Sequence, residues 1–492
     1  MKVPVLFLFL LMFLQVNAWK FFHKGRLNGG NIGCPGSKHP ILNSPFVKTK
    51  WFTQRLDHFD TRNNKTWQQR YFVNNEYYQN GGPIFLMIGG EGEASDKWMT
   101  AGAWVDYAKK FKALLFQVEH RYYGQSHPTE DLCVKNLVYL SSEQALADLA
   151  YFVSKINNEL QLTAKWIAFG GSYPGSLAAW LRMKYPHLIH GAVSSSGPLL
   201  AEVDFFDYFR VVDEALESNS EKCLANVKTA HDQVNLLTKH PLGLRKLDES
   251  FKLCDPLETL IKEPKHIANF WDTLANNFAG VVQYNKDNRI GKTAAGNITI
   301  DDLCGIMLNE TIGIPFQRLA AINKLLLNAT NQTCLDYNYD NMIKALRNTS
   351  WAGEGGRQWT YQTCTEFGFY QTSTYSPHVF GDKFPVDFYI QQCEDIFGSR
   401  FNASFLDDVV YRTNMMYGGL DIEVTNVVYI HGSIDPWHAL GITETKDQDA
   451  PAIYIEGTAH CANMYPSDDS DPPQLNQARV EIENHIDKWL RL

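Results

Sequence analysis

The 492-residue chain lacks any cluster of lysines and arginines. Lys plus Arg is 45 against 54 Asp plus Glu, a formal net charge of −9. Phosphate backbones are held by clustered cations, so this composition argues against nucleic acid as a partner. It also gives no reason to expect an anionic membrane surface. C-x-x-C pairs are missing, as is any His/Cys grouping with zinc spacing, so the nine cysteines point to disulfides and not to a metal. Gly89-Gly90-Glu91-Gly92 is not followed by G-K-[ST], so it does not read as a phosphate-binding loop. Repeats and low-complexity tracts are lacking too. Hydrophobic residues at 45% and charged residues at 20% are globular composition, which excludes disorder and coiled coils. At this length the chain forms two structural units or one large elaborated one.

One apolar run is long, Val5–Leu14, and its ten residues are too few to span a bilayer. With Lys2 before it and Val16-Asn17-Ala18 after it, the run reads as a removed secretory signal, residues 1–18. No later segment reads as membrane-spanning. Seven N-x-[ST] sequons begin at Asn64, Asn297, Asn309, Asn328, Asn331, Asn348 and Asn402. Five of them fall between 297 and 348, which predicts an exposed, glycosylated face there. An odd number of cysteines leaves at least one thiol without an intrachain partner.

Short continuous apolar runs, each ending in Gly or polar residues, alternate with helical patterns. This is the signature of a parallel α/β sheet covered on both faces. The runs are Pro83–Ile88, Ala113–Val118, Trp166–Phe169 and Gly191–Val193, then Val427–Ile430 and Ile453–Ile455. Ser142–Leu160 carries an apolar stripe at Ala145, Leu149, Phe152, Val153 and Ile156, with Ser141 as N-cap and Gln144 three residues on. Helices are also predicted over Pro174–Tyr185 and Arg479–Leu492. Strand-like runs thin out between about 200 and 405, where helical stretches such as Val211–Leu216 and Ala320–Leu327 and six cysteines occur. The expected division is a first core part over 19–200, a mostly helical, disulfide-bonded insertion over 201–405, and a second core part over 406–492.

The strongest local signal is Ile167-Ala168-Phe169-Gly170-Gly171-Ser172-Tyr173-Pro174-Gly175. A buried strand runs into a serine flanked by glycines and then into a helix, the context of a nucleophile elbow. The serine hydroxyl is lifted above the sheet at a helix N-terminus, where the Tyr173 N–H favours a developing negative oxygen. The usual G-x-S-x-G is altered: position 174 is proline and the glycine follows one residue later. The plainer alternative is a Gly-Gly-Ser turn. A nucleophilic serine needs a base and an orienting acid, in the chain order Ser, Asp, His on α/β-hydrolase folds. Asp435 follows the strand ending at Ile430, and His460 follows the strand ending at Ile455. Each lies where functional loops of open sheets cluster. The expectation is that Ser172 attacks, His460 moves the proton and Asp435 fixes the imidazole tautomer. Gly89-Gly90-Glu91-Gly92 follows an early strand, so the N–H groups of Gly90 or Glu91 are candidates for the second oxyanion donor. His431 and His438 read as packing residues. His58 and His120 have no partner that the sequence reveals. Trp437 either lines a pocket or packs.

The chain resembles the prolyl carboxypeptidase, dipeptidyl peptidase II and thymus-specific serine protease family, closest to the thymus-specific branch. The matching segments are Gln54–Phe59, Gly89–Gly92, Glu119–Ser126, Gly170–Gly175, Met415–Gly419 and Asp435–Trp437, with Gly457–His460 followed by Cys461. The resemblance implies an α/β-hydrolase fold with a helical cap. It implies a serine exopeptidase that cleaves peptides after proline or a small residue, by carboxypeptidase or dipeptidyl-peptidase action, without a cofactor. It places Ser172, Asp435 and His460 on the triad positions, and Trp437 and Phe369 in the substrate pocket. It implies the pairs Cys223–Cys304, Cys254–Cys334 and Cys364–Cys393, with Cys34, Cys133 and Cys461 unassigned. It further implies a secreted or lysosomal/endosomal location, and a homodimer in some members. Two other readings stand beside it: an esterase or lipase on the same fold, and a non-catalytic secreted binding protein.

Overall fold

Continuous apolar strands need cover on both faces, and the fold provides it. The computed structural model describes residues 44–161, 163–286, 297–375 and 378–492, with the backbone of Phe22–His23 and Arg26–Leu27. Lys2, Val5–Leu14, Val16–Ala18 and Cys34 lie outside the described residues. Eight strands form one sheet: β1 (Val47–Arg55), β2 (Thr66–Asn74), β3 (Ile84–Ile88), β4 (Leu114–Val118), β5 (Trp166–Gly171), β6 (Ile189–Ser195), β7 (Val427–Gly432) and β8 (Ala452–Ile455). Their order is β8-β7-β6-β5-β3-β4-β2-β1. The strands β3 to β8 pair in parallel, and β1 and β2 are antiparallel to their neighbours. Every residue of β3, β4, β5 and β7 is buried. The fold is that of the α/β-hydrolases.

The sequence reading places no strand at β1 or β2. In β1 only Phe52 and Gln54 are fully buried, and Lys48 and Lys50 face solvent. An edge strand of this kind has no continuous apolar run to find, and its lysines guard the open edge against pairing with another chain.

One face of the sheet is covered by α1 (Ala103–Phe111) and by α8 (Pro473–Arg491) at the far end of the chain. That core contains Phe85, Trp104, Phe169, Ile482 and Trp489. The other face packs α2 (Ser142–Leu160) and α3 (Tyr173–Lys184) around Phe116, Phe152, Trp166 and Trp180. The Ser141 hydroxyl accepts the Gln144 N–H at 3.1 Å and starts α2. Helix α8 begins six residues before the expected Arg479. The pair Pro472-Pro473 starts it, and polar Gln474, Asn476 and Gln477 hide the early part of its apolar stripe.

Between β6 and β7 the chain leaves the sheet and becomes mostly helical. This region includes α4 (Asp207–Asn219), α5 (Pro264–Gln283), α6 (Gly356–Gln362) and α7 (Ala403–Tyr417). Phe205, Tyr208 and Phe278 from this region share one hydrophobic core with α2 and α3. Disulfides join Cys223 to Cys304, Cys254 to Cys334 and Cys364 to Cys393, with Cα–Cα distances of 5.3, 5.1 and 5.8 Å. Among the described residues Cys133 and Cys461 are free thiols. A short parallel ladder pairs Glu202–Asp204 with Gly368–Tyr370 and ties the start of the region to its later part. The seven sequon asparagines are all exposed. No helix among the described residues is long and apolar enough to cross a membrane.

Candidate active site

Strand β5 delivers the chain to Ser172, whose φ of 65° lies in the left-handed region that non-glycine residues seldom adopt. The turn closes because Gly170 has no side chain: a Cβ there would sit 1.9 Å from the Pro174 carbonyl oxygen. The Ser172 N–H donates to the Ser195 carbonyl on neighbouring β6 at 2.9 Å. Helix α3 starts at Tyr173, so the Tyr173 N–H belongs to the first turn, whose amides have no partner within the helix. Pro174 falls in the same turn, where a missing N–H costs nothing.

Strands β7 and β8 are parallel neighbours, so the loops that carry Asp435 and His460 leave the same edge of the sheet. Gly432 permits their contact, since a Cβ would meet the Thr458 carbonyl oxygen at 2.2 Å. His460 Nδ1 and Asp435 Oδ1 are 2.8 Å apart, and both side chains are fully buried. An ionised carboxylate only accepts, so Nδ1 carries the proton in that state. The Trp437 N–H donates to the same oxygen at 3.1 Å. Burial alone would lower the affinity of His460 for a proton. The Asp435 carboxylate and the adjacent Cys461 thiol outweigh it and hold the imidazole well above its ordinary range. For Asp435, burial pushes the carboxyl up, but His460, His431 and the Ser196 hydroxyl together bring it below the usual value. His460 Nε2 is buried and has no hydrogen-bond partner, so Ser172 Oγ does not bond to it here. The structure thus joins Asp435 to His460 directly and leaves the bond to Ser172 unformed, as is common before substrate tightens a site.

The loop after β3 is fixed from behind by a buried ion pair. Glu119 Oε1 accepts the Ala94 N–H at 3.1 Å, and Arg70, paired with Glu119, donates to the Ala94 carbonyl at 3.1 Å. Gly90 and Glu91 are buried. A pocket between this loop and the elbow is lined by Gly89, Gly90, Gly171, Pro174, Trp98 and Met464. Trp437 and Phe369 meet edge to face with ring centroids 5.3 Å apart, and both are almost wholly buried. His431 is packed against Gly441, where a Cβ would lie 2.1 Å from the imidazole. Burial pushes His431 down to about 4, so it stays neutral beside the ionised pair. The edge of His438 meets the Tyr454 ring.

The sequence names His120 without a partner and does not single out Gln362 at all. His120 is buried, and its Nδ1 lies 2.7 Å from the Arg121 carbonyl, so Nδ1 donates and Nε2 accepts from the Tyr173 hydroxyl at 3.0 Å. Gln362, the last residue of α6, donates to the same hydroxyl at 3.1 Å and accepts from the Tyr123 hydroxyl at 2.7 Å. A polar run at the end of an apolar strand, Glu119-His120-Arg121, is the signal that could have found His120. Gln362 carries no such signal. His58 has a partner after all: its Nε2 is 2.8 Å from Asp148 Oδ1, and Asp148 also holds Arg121 through two bonds of 2.6 Å.

The profile described as "Serine carboxypeptidase S28" matches residues 54–482. Thymus-specific serine protease of Mus musculus is 35% identical over 458 residues, covering 90% of this chain and 88% of that protein. The Homo sapiens protein of the same name is 34% identical over 460 residues, covering 90% and 87%. Lysosomal Pro-X carboxypeptidase of Homo sapiens is 30% identical over 458 residues, covering 90% and 88%. The match takes in the elbow, the buried Asp435–His460 pair and the helical region between them, and the chain belongs to the serine carboxypeptidase S28 family of serine peptidases.

Proposed function

We propose that Ser172, His460 and Asp435 act as one catalytic triad, and that the enzyme is an exopeptidase cleaving after proline or another small residue. The observation that carries this reading is the buried 2.8 Å bond between His460 and Asp435, together with the strained serine at the end of β5 in the same sheet. In the reaction Ser172 Oγ adds to the scissile carbonyl carbon while His460 Nε2 takes the hydroxyl proton. The negative oxygen that forms is met by the Tyr173 N–H and by an N–H of Gly90 or Glu91. His460 then passes its proton to the leaving amine as the C–N bond breaks, leaving an ester on Ser172. Water, deprotonated by His460, hydrolyses that ester and restores the hydroxyl.

The reading seats the proline beside Trp437 and Phe369, an edge-to-face aromatic pair that is almost wholly buried here and would have to be uncovered as substrate enters. Such contact selects weakly, at about 1–3 kcal/mol per methylene, so small non-proline residues remain acceptable. Three disulfides fit a protein of the secretory pathway. Within that pathway the reading is a secreted or lysosomal/endosomal enzyme with residues 1–18 removed and the exposed sequons glycosylated. It places the helical cap at 201–405, between core parts 19–200 and 406–492.

The test uses purified protein, a fluorophosphonate probe, and peptides with proline at the second or the penultimate position, read by mass spectrometry. Wild type should label and remove one terminal fragment, and Ser172→Ala should do neither while melting as wild type does. Cleavage that survives Ser172→Ala would sink the triad. Turnover of short esters with intact peptides would favour an esterase.

A further inference from the structure

The helical region does more than pack against the sheet. The C-terminal end of α5 reaches both loops of the proposed triad. Gln283 Oε1 accepts from the Trp437 indole N–H at 2.9 Å and from the Tyr208 hydroxyl at 2.8 Å. The Gln283 backbone carbonyl accepts the His460 N–H at 2.9 Å. The next residue, Tyr284, sets its ring perpendicular to the His460 imidazole with centroids 5.8 Å apart. Gln283 is fully buried, so its side-chain oxygen works where water cannot replace it. Trp437 is two residues from Asp435, and its own N–H is bonded to the Asp435 carboxylate. A displacement of the indole is therefore transmitted to the residue that orients His460.

We propose that Gln283, supplied by the cap, is a positioning residue that locks the indole of Trp437 and the His460 loop into one arrangement, so that a prolyl residue seated on Trp437 and the general base are aligned together. This rests on the triad reading above. Removing the amide leaves two buried donors, the indole N–H and the Tyr208 hydroxyl, without an acceptor.

The test compares Gln283→Leu with Gln283→Glu in the full-length protein, on a fluorogenic prolyl peptide, over a pH range and with melting curves. Gln283→Leu should lose about 10- to 100-fold in kcat/KM, the scale of a misplaced reacting group. Gln283→Glu keeps an acceptor oxygen for both donors, so it should recover most of that loss. Its added anion beside His460 should also move the acid limb of the pH profile upward, and the recovery of kcat/KM without recovery of the melting temperature is what a purely structural role would not give. Wild-type kcat/KM in Gln283→Leu overturns the proposal, and so do equal losses in both variants. If Gln283→Leu does not fold, Gln283→Glu must retain activity with the shifted limb and Tyr208→Phe must lose several-fold. Failure of either overturns it. A wild-type protein inert to both peptide and fluorophosphonate defeats the triad reading itself, and that result is seen before any variant is made.

Discussion

The sheet and the helical region solve different problems with different chemistry. Strands β3, β4, β5 and β7 are apolar or small almost throughout and fully buried, and they place reacting groups by topology, at the ends of parallel strands. The helical region holds the three disulfides and buries polar side chains such as Gln283, Gln362 and Glu366. Gln283 and Gln362 point their hydrogen bonds at Trp437 and Tyr173, and these residues flank the proposed acid, Asp435, and the proposed nucleophile, Ser172. On the proposed triad, the contrast teaches that the core would supply the order of the reacting groups and the helical region their fixed surroundings. Each region should then fail in its own way.

The largest failure should come from the core. Asp435→Asn should lower kcat by about 10³–10⁴-fold, because the imidazole loses its tautomer and its counter-charge. The pH profile carries a second readout. In the proposed mechanism His460 must be neutral to take the serine proton, so kcat/KM should fall as pH drops through its pKa, which Asp435 holds above the ordinary value. Without that anion the acid limb should move to lower pH. A variant within tenfold of wild type, with an unmoved limb, would break the division of labour at its strongest point.

The cap should fail through stability first. Replacing Cys364 and Cys393 together by serine should cost about 2–5 kcal/mol, the usual range for a native disulfide in an exported protein. The melting temperature should fall while the fluorophosphonate labelling rate at low temperature stays near wild type. Replacing the free Cys133 by serine should leave both measures alone. An unchanged melting point in the double variant would show that packing, and not the staple, holds this region.

Between these extremes lies the contact where the two regions meet. Tyr173→Phe keeps the backbone N–H proposed for the oxyanion and removes only the hydroxyl that His120 and Gln362 share. Orphaning buried partners costs about 1–3 kcal/mol. About 1.4 kcal/mol of that, expressed in the barrier, is tenfold in kcat. A fall confined to KM would assign the network to binding and not to the nucleophile's surroundings.

How much of this is legible in the sequence depends on distance along the chain. The continuous runs locate β3 to β7, because a strand buried on both faces must be apolar, and the short run Ile453–Ile455 locates β8 at the sheet's other edge although its residues are buried only alternately. Ser172, Asp435 and His460 are legible for the same reason, since each follows such a run closely. Strand β1 is not, because its exposed face breaks the pattern, and the start of α8 is masked by polar residues. Gln283 is invisible for a stronger reason. It lies 154 residues from Trp437, and nothing around it marks a polar residue whose partners arrive only on folding. Gln362 and Tyr173 are likewise 189 residues apart. Local pattern reports burial, and it does not report which buried polar groups will meet.

The smallest effect should separate the two regions by pH. The buried charges of the core are paired, Arg70 with Glu119 and Arg121 with Asp148. In the cap Asp213 on α4 accepts the Val379 N–H at 3.2 Å through one oxygen, and its other oxygen is buried without a partner. Burial, with Glu214 and Glu217 nearby, pushes this carboxyl up to about 7 against the offset from Val379. The folded pKa lies above the unfolded one, so the folded state binds more protons between roughly pH 4 and 7. The favourable balance is complete below the unfolded value and is lost as pH rises through the folded one. Asp213→Asn cannot ionise and still accepts from Val379. It should raise the melting temperature less at pH 4.5 than at pH 8, where the wild-type carboxylate is ionised in its buried site and the variant is not. The rise at pH 8 should vanish in the Cys364/Cys393 double variant if loosening the cap lets water reach Asp213. A rise of the same size at both pH values would mean that the aspartate is merely ill packed, and Asp213 would then contribute no preference for acid conditions.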